Sequence, residues 1–410
     1  MLFRYGATEN GNIEKKAHIY TQEEHGIDAS LLDPDAAWVV RRLRKEGYHA
    51  YVVGGAVRDL IVGRVPNDFD VATDAHPQQI RRHFRSARII GRRFRLVHVY
   101  CGREKYIEVT TFRSRSAAGA AGAESFEDGN NLFGTMEEDA ERRDFTVNAL
   151  YYCPIDRQVI DYVGGLPDIR ARRLRTLISA DASFAEDPVR MIRAVKYASF
   201  LGFPIPLAMS GLIKRMGVQI LSCSRERVTE EVYKILSSGA ARDIFDLSHR
   251  LRLFDIIFPA LSAHLKEKRL RPSDSPLWQR LGELDERTRA GAVLDRNDMF
   301  GFLFRDLVKG RGDLLDGEDP QLLVQQLLRT SAEPLFPSKK DLAIAADSIL
   351  KEERPHQRLV HHPREAAHPH RGAPAAARGE AARPGAKRKR RRGRGRGRGA
   401  GQGSAPAQPG

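Results

Sequence analysis

The stretch from Ala50 to Val71 constrains the fold more than any other part of the chain. Ala50–Val53 is apolar, Gly54-Gly55 follows, Val57–Ile61 has a helical pattern, and Asn67-Asp68-Phe69-Asp70-Val71 is a second apolar run holding two carboxylates. The expectation is strand, small-residue turn, helix, strand. Side chains two apart on a strand share a face, so Asp68 and Asp70 point the same way. Two like charges side by side are costly unless a cation sits between them. A hard ion such as Mg²⁺ takes oxygen ligands from one or two carboxylates and fills its shell with substrate phosphates. A Gly-Gly turn into a helix offers N–H groups and the positive end of a helix dipole, which suits phosphate. Gly54, Gly55 and Arg58 are therefore candidate phosphate contacts, and Asp68 and Asp70 candidate metal ligands. The plainer readings are a solvated acidic loop and a tight turn that binds nothing.

With 410 residues, 41% of them hydrophobic, the chain has length for two or three domains with real cores. No run approaches the roughly 18 apolar residues of a membrane span, and Met1–Ile19 lacks an apolar signal-peptide core. Cys101, Cys153 and Cys223 are far apart and form no C-x-x-C pair. A disulfide framework or zinc site is not expected, and a reducing cytoplasm fits. The net charge of +15 is unevenly placed: Pro355–Gly410 holds fourteen Lys and Arg against two Glu, leaving only +3 for the rest.

Pro77–Phe84 reads as a helix and Ala87–Ile90 as a strand, while Arg95–Cys101 and Lys105–Phe112 read as a strand pair around Gly102. Glu108 lies on the second of that pair and is either a third carboxylate for the metal face or an exposed strand glutamate. Ser114–Gly129, rich in Ala, Gly and Ser, reads as a mobile loop, with a lid as the functional alternative. From Pro188 onward the pattern is helical.

Further motifs follow in order: Arg142-Arg143-Asp144-Phe145-Thr146-Val147-Asn148-Ala149, Asp161-Tyr162-Val163-Gly164-Gly165-Leu166-Pro167-Asp168, Glu186-Asp187-Pro188-Val189-Arg190-Met191-Ile192-Arg193-Ala194, and Ser224-Arg225-Glu226-Arg227-Val228 through Glu231. With the first, these five resemble the signatures of the class II nucleotidyltransferases, the bacterial poly(A) polymerases and CCA-adding tRNA nucleotidyltransferases. The resemblance covers roughly residues 45 to 260. It implies an α+β protein: a small mixed-sheet nucleotidyltransferase head (46–170) after an N-terminal segment (1–45), then an all-helical neck binding nucleotide and RNA (171–238) and a helical body (239–354). A disordered basic tail would occupy 355–410.

The resemblance further implies that Arg142, Arg143 and Asp144 approach the sugar and phosphates of ATP, with Asp144 among the catalytic carboxylates. Asp187 and Arg190, three apart and expected on one helix face, would read the base edge, with Arg193 a further candidate for that pocket. Without the resemblance, Asp187 and Arg190 read as an intrahelical ion pair and R-R-D as a surface charge cluster. Gly91-Arg92-Arg93-Phe94-Arg95-Leu96-Val97-His98-Val99 and Asn131–Asp139 are similar to the poly(A) polymerase branch, and Arg92 and Arg93 are candidate RNA contacts. No H-D metal motif follows downstream. The expected activity is template-independent addition of AMP from ATP to RNA 3′ ends, with pyrophosphate release at two Mg²⁺ ions, by a cytoplasmic monomer that meets RNA-decay partners and no membrane. The alternatives are CCA addition to tRNA and non-catalytic RNA binding. In the tail, Lys387, Arg388, Lys389, Arg390, Arg391 and Arg392 would anchor RNA by charge. A merely solubilising terminus and translation of a shifted reading frame are the competing readings.

Overall fold

The computed structural model describes residues 2–7, 13–91, 95–102, 105–114, 133–292, 295–309, 311, 314 and 319–353. The chain divides at His356/Gln357, and the second part, with the tail residues 387–392, lies outside the described residues. So do Arg92, Arg93 and residues 115–132.

Among the described residues, nine strands form one mixed sheet in the order β1-β2-β9-β8-β3-β4-β7-β6-β5. Strands β3 (Ala50–Val53), β5 (Ala87–Ile90), β6 (Leu96–Tyr100) and β7 (Tyr106–Thr111) lie where the apolar runs predict them, whereas β4 (Asp70–Thr73) starts later than the expected Asn67–Val71 run. β8 (Leu150–Cys153) and β9 (Gln158–Asp161) form a hairpin that pairs through β8 with β3. The hairpin of β1 (Leu2–Ala7) and β2 (Ile13–Tyr20) extends the sheet through β9, so the N-terminal segment supplies strands to the head. β4 and β7 run parallel; the other pairs are antiparallel.

Helix α1 (Gln22–His25) is a single turn after β2. In α2 (Pro34–Lys45), Asp33 caps the N-terminus and Pro34 opens the first turn, while Ala36, Val39, Val40 and Leu43 are fully buried at helical spacing. α2 and α4 (Pro77–His83) contribute Leu43 and Ile80 to the same core as Val71, Val97, Val99, Ile107 and Val109. Alternation puts Asp70, Glu108, His98 and Tyr106 on the opposite sheet face. The turn Gly54 leads from β3 into α3 (Gly55–Ile61).

Helices α5 (Met136–Glu141), α6 (Gly165–Arg170) and α7 (Ala180–Glu186) complete this part. Then come α8 (Val189–Leu201), α9 (Leu207–Met216), α10 (Arg225–Leu236), α11 (Ala241–Arg250), α12 (Leu253–Ile257), α13 (Pro259–Glu267), α14 (Pro276–Arg289) and α15 (Met299–Val308), followed by helices Pro320–Ser331 and Lys339–Glu353. Trp278, buried among Phe245, Phe254 and Phe258, anchors the later helices. Among the described residues no helix is long and apolar enough to cross a membrane.

Candidate active site

Asp70 opens β4 directly opposite Glu108 of β7, so the two carboxylates share a sheet face. Asp68 precedes β4 rather than lying on it. β3 ends at Val53, opposite Asp70, because Gly54 turns the chain away and leaves Asp68 nothing to pair with on that side. The alternation nevertheless persists, with Phe69 buried and Asp68 and Asp70 both exposed.

Although Asp70 is open to solvent, protein surrounds its carboxylate. Desolvation, then Glu108 and Asp68, push it up to about 6, against the pull of Arg143 and of Lys234 on α10. Desolvation also raises Glu108, again opposed by Lys234. The end of α10 approaches this corner where Asn67 Nδ2 donates to Ser237 O at 3.4 Å. A divalent cation fits this donor set, because hard oxygen ligands converge where negative charge is costly. Among the described residues no group of three His, Cys, Asp or Glu side chains is arranged to hold a metal, so phosphate and water oxygens would complete the shell.

Gly54 has φ +74°, and a Cβ there would lie 3.2 Å from Arg143 Nη1, so glycine suits both the turn and this close approach. Arg58 is buried, donating from Nε to Asp59 Oδ1 (2.8 Å) and from Nη1 to Asn148 Oδ1 (2.6 Å), with its guanidinium 4.9 Å from the Tyr197 ring. Its position one turn into α3 joins the head to α8 instead of opening toward solvent.

Arg142 and Arg143 both grip Asp139, whose carboxylate also accepts from Tyr151 Oη at 2.7 Å. Burial alone would raise Asp139, but Arg143 and Arg142 pull it down to about 2. Asp139 closes the Asn131–Asp139 stretch, which gave it no role of its own; its weight comes from fixing the arginine beside Asp70 and Gly54.

Asp144 is buried and held by partners of its own. It accepts from Phe145 N (2.8 Å) and Asn148 Nδ2 (3.2 Å), and its Oδ2 lies 3.0 Å from Arg193 Nη2 as an ion pair without hydrogen-bond alignment. Arg193 also approaches Glu231, which pairs with Lys196, so two acids and two bases close a network linking the head to α8 and α10. In the next motif, Asp161 accepts from the backbone N–H groups of Val163, Gly164, Gly165 and Leu166 at 2.8–3.1 Å. Asp168 then accepts from Thr146 Oγ1 at 2.7 Å.

Asp187 and Arg190 are not on one helix face. Asp187 ends α7 in an extended conformation (φ −146°), Pro188 intervenes, and Arg190 belongs to α8. A proline drives its predecessor out of the helical region, which breaks the expected continuity. Nor do they form an ion pair with each other: Asp187 accepts from Arg227 Nη2 (2.6 Å), and Arg190 donates to Ser183 Oγ (3.1 Å) and Glu186 Oε2 (2.8 Å). Arg227, on α10, lies in the last of the quoted motifs, which had assigned it no contact with Asp187.

Comparison with known proteins gives the family. Residues 50–175 match the Poly A polymerase head domain, and residues 202–265 match a module described as the probable RNA and SrmB-binding site of polymerase A. Poly(A) polymerase I of Haemophilus influenzae is 34% identical over 323 residues, 75% of this chain and 71% of that protein. Poly(A) polymerase I of Escherichia coli O157:H7 is 37% identical over 293 residues, 70% of this chain and 63% of the relative, so the match spans under two thirds of that protein. A CCA-adding enzyme of Geobacillus kaustophilus is 34% identical over 276 residues, 65% of each chain. The chain belongs to the class II nucleotidyltransferase family, which the sequence motifs had suggested.

Proposed function

We propose that the protein is a template-independent poly(A) polymerase, transferring AMP from ATP to an RNA 3′-hydroxyl with release of pyrophosphate. The observation that carries this is the Asp70–Glu108 pair, with Asp68 beside it, at the edge of the Gly54-Gly55 turn where Arg143 reaches in. Asp68 and Asp70 would hold Mg²⁺, two ions in the full form, with Glu108 adding negative charge beside them. Bound Mg²⁺ supplies charge that activates the hydroxyl and offsets the charge of the departing pyrophosphate.

The chain's own part is positioning. Gly54 and Gly55 let phosphate oxygens approach the backbone, and Arg143, locked by Asp139, sets a fixed positive charge beside them. Asp187 and Arg190, each oriented by its own partner, would meet the base edge. Asp144 and Arg193 hold the head to the helices that carry that pocket. The greater identity and longer match to poly(A) polymerase I favour this reading over CCA addition. Cytoplasmic location, a monomeric state and contact with RNA-decay partners belong to the same reading.

Incubation with an RNA primer and each nucleoside triphosphate in turn is the test. Long adenylate tails from ATP are expected. Addition of two cytidines and then one adenosine to a tRNA lacking its terminus would instead select the CCA-adding activity, and no pyrophosphate release would leave RNA binding alone.

A further inference from the structure

The sheet face that holds the carboxylates continues sideways as a surface of aromatic rings and arginine. Asp70, Glu108, His98 and Arg88 are successive register partners across β4, β7, β6 and β5. Directly paired residues project from the same side of a sheet, so these four form one row, about 14 Å long from the spacing of neighbouring strands. In the adjacent row Tyr106 is paired with Tyr100. The His98 ring stacks on Tyr106 with centroids 3.9 Å apart and planes 12° apart. The Tyr100 ring lies 5.9 Å from Tyr106, and the Arg88 guanidinium lies 5.5 Å from the Tyr100 centroid. Tyr106 is 47% exposed and Arg88 is exposed as well.

Alternate residues Val97, Val99, Ile107 and Val109 are buried on the opposite face, so the rings do not serve the core. Three adjoining rings on the open face exceed what two strands need for pairing. Arg88 sets a positive charge beside the rings, at the end of the row away from Asp70 and Glu108. Aromatic rings stack bases of any sequence, and arginine beside them adds cation–π and phosphate attraction.

We propose that the Tyr106–His98–Tyr100–Arg88 face is a stacking platform for the single-stranded RNA just upstream of the reacting 3′ end. This deepens the nucleotidyl-transfer reading and rests on it. The platform adjoins the catalytic row, because Tyr106 is two residues before Glu108 on the same face of β7. It contributes affinity without base selection, which suits an enzyme whose product is its next substrate.

The test uses the full chain, a fluorescently labelled single-stranded oligoadenylate, and the variants Tyr106→Ala, Tyr106→Phe and Tyr106→Trp. Anisotropy should show RNA binding weakened about fivefold to a hundredfold by Tyr106→Ala, the range for one lost base-stacking contact, with Tyr106→Phe close to wild type. In nucleotide addition, KM for RNA should rise more than kcat falls, with KM for ATP unchanged. Emission of the Tyr106→Trp protein, after subtraction of the wild-type signal, should be quenched by unlabelled oligoadenylate. Quenching decides the matter even if Tyr106→Ala fails to fold. Unchanged affinity in Tyr106→Ala, or no quenching at RNA concentrations that saturate binding, overturns the platform and leaves a protein contact as the use of this face. Quenching by RNA in a protein that adds no nucleotide would overturn the enzymatic reading and retain the platform.

Discussion

Asp70 and Glu108 face one another across the parallel β4–β7 pair, although the intervening chain runs through α4, β5 and β6 before returning. The antiparallel β6–β7 pair brings that chain back, and the parallel register then sets two acids side by side. Packing of Val71 and Val109 on the opposite face holds the register, because a slip of one residue would send the slipped strand's carboxylate into the core. The charge cost of the acidic pair is therefore imposed by the same burial that stabilises the sheet.

Replacing Asp70 by Ala should reduce AMP incorporation on the order of a hundredfold or more, because charge needed chiefly in the transition state is lost. The thermal transition and RNA affinity should change little, since Asp70 is not part of the packed core. Glu108→Gln should cost less. Near-wild-type turnover of Asp70→Ala in Mg²⁺ would remove the metal assignment.

Asp187→Ala and Arg190→Ala should relax the preference for ATP over CTP more than they weaken triphosphate binding. A pocket built to pair with one base edge discriminates because the wrong base leaves buried polar groups unpaired. Competition assays with ATP and CTP measure the ratio. If selectivity is unchanged in both variants, the contacts to Arg227, Ser183 and Glu186 are the whole role of these residues.

What the sequence showed of this site was local. Strand Ala50–Val53, the Gly54 turn and the Asp68/Asp70 pair are each specified by neighbours a few residues away, while the strand after the turn starts at Asp70 and not at the expected Asn67. The β6–β7 pairing was readable from alternation around a glycine. The pairing of β2 with β9 was hidden, because strand partners distant in sequence leave no mark on either segment. Asp139 was hidden for a related reason: its partners include Tyr151, which a helix, a turn and a strand bring back to it. Pro188 was visible all along, and its effect on Asp187 was the local signal that argued against one continuous helix there.

Acid stability should report on Asp139. Its folded value near 2 lies below the unfolded 3.8, so its contribution is fully present above pH 4 and is lost as pH falls through 2. The shift corresponds to about 2 kcal/mol. Urea unfolding across pH 4 to 2 should show a shallower loss in Asp139→Asn than in the wild type, together with lower stability of the variant at pH 7. Parallel profiles would exclude Asp139 as the acid-sensitive link.

Gly165→Ala should destabilise the head by about 1–3 kcal/mol, the usual cost of overpacking a tight contact. A Cβ there would lie 2.2 Å from Thr146 O, a backbone atom that cannot rotate aside. Denaturant midpoints give the value. An unchanged midpoint would mean that α6 shifts away from the Thr146–Asn148 turn at no cost.

The tail should act on RNA affinity rather than on chemistry. Pro355–Gly410 carries twelve of the fifteen net positive charges and no aromatic residue to stack bases, so its attraction to RNA is electrostatic and blind to sequence. For single strands, log K falls with log salt by about 0.7 per phosphate neutralised. A chain ending at Arg354 should therefore show a flatter salt dependence and a higher KM for RNA at low salt, with kcat at saturating RNA little changed. The Tyr106 platform makes a separate prediction: removing a stacking ring lowers affinity without altering the salt slope, whereas removing the tail alters the slope. Measuring both variants across one salt series separates stacking from charge. Identical slopes and affinities for the full and shortened chains would reduce the tail to a solubilising terminus.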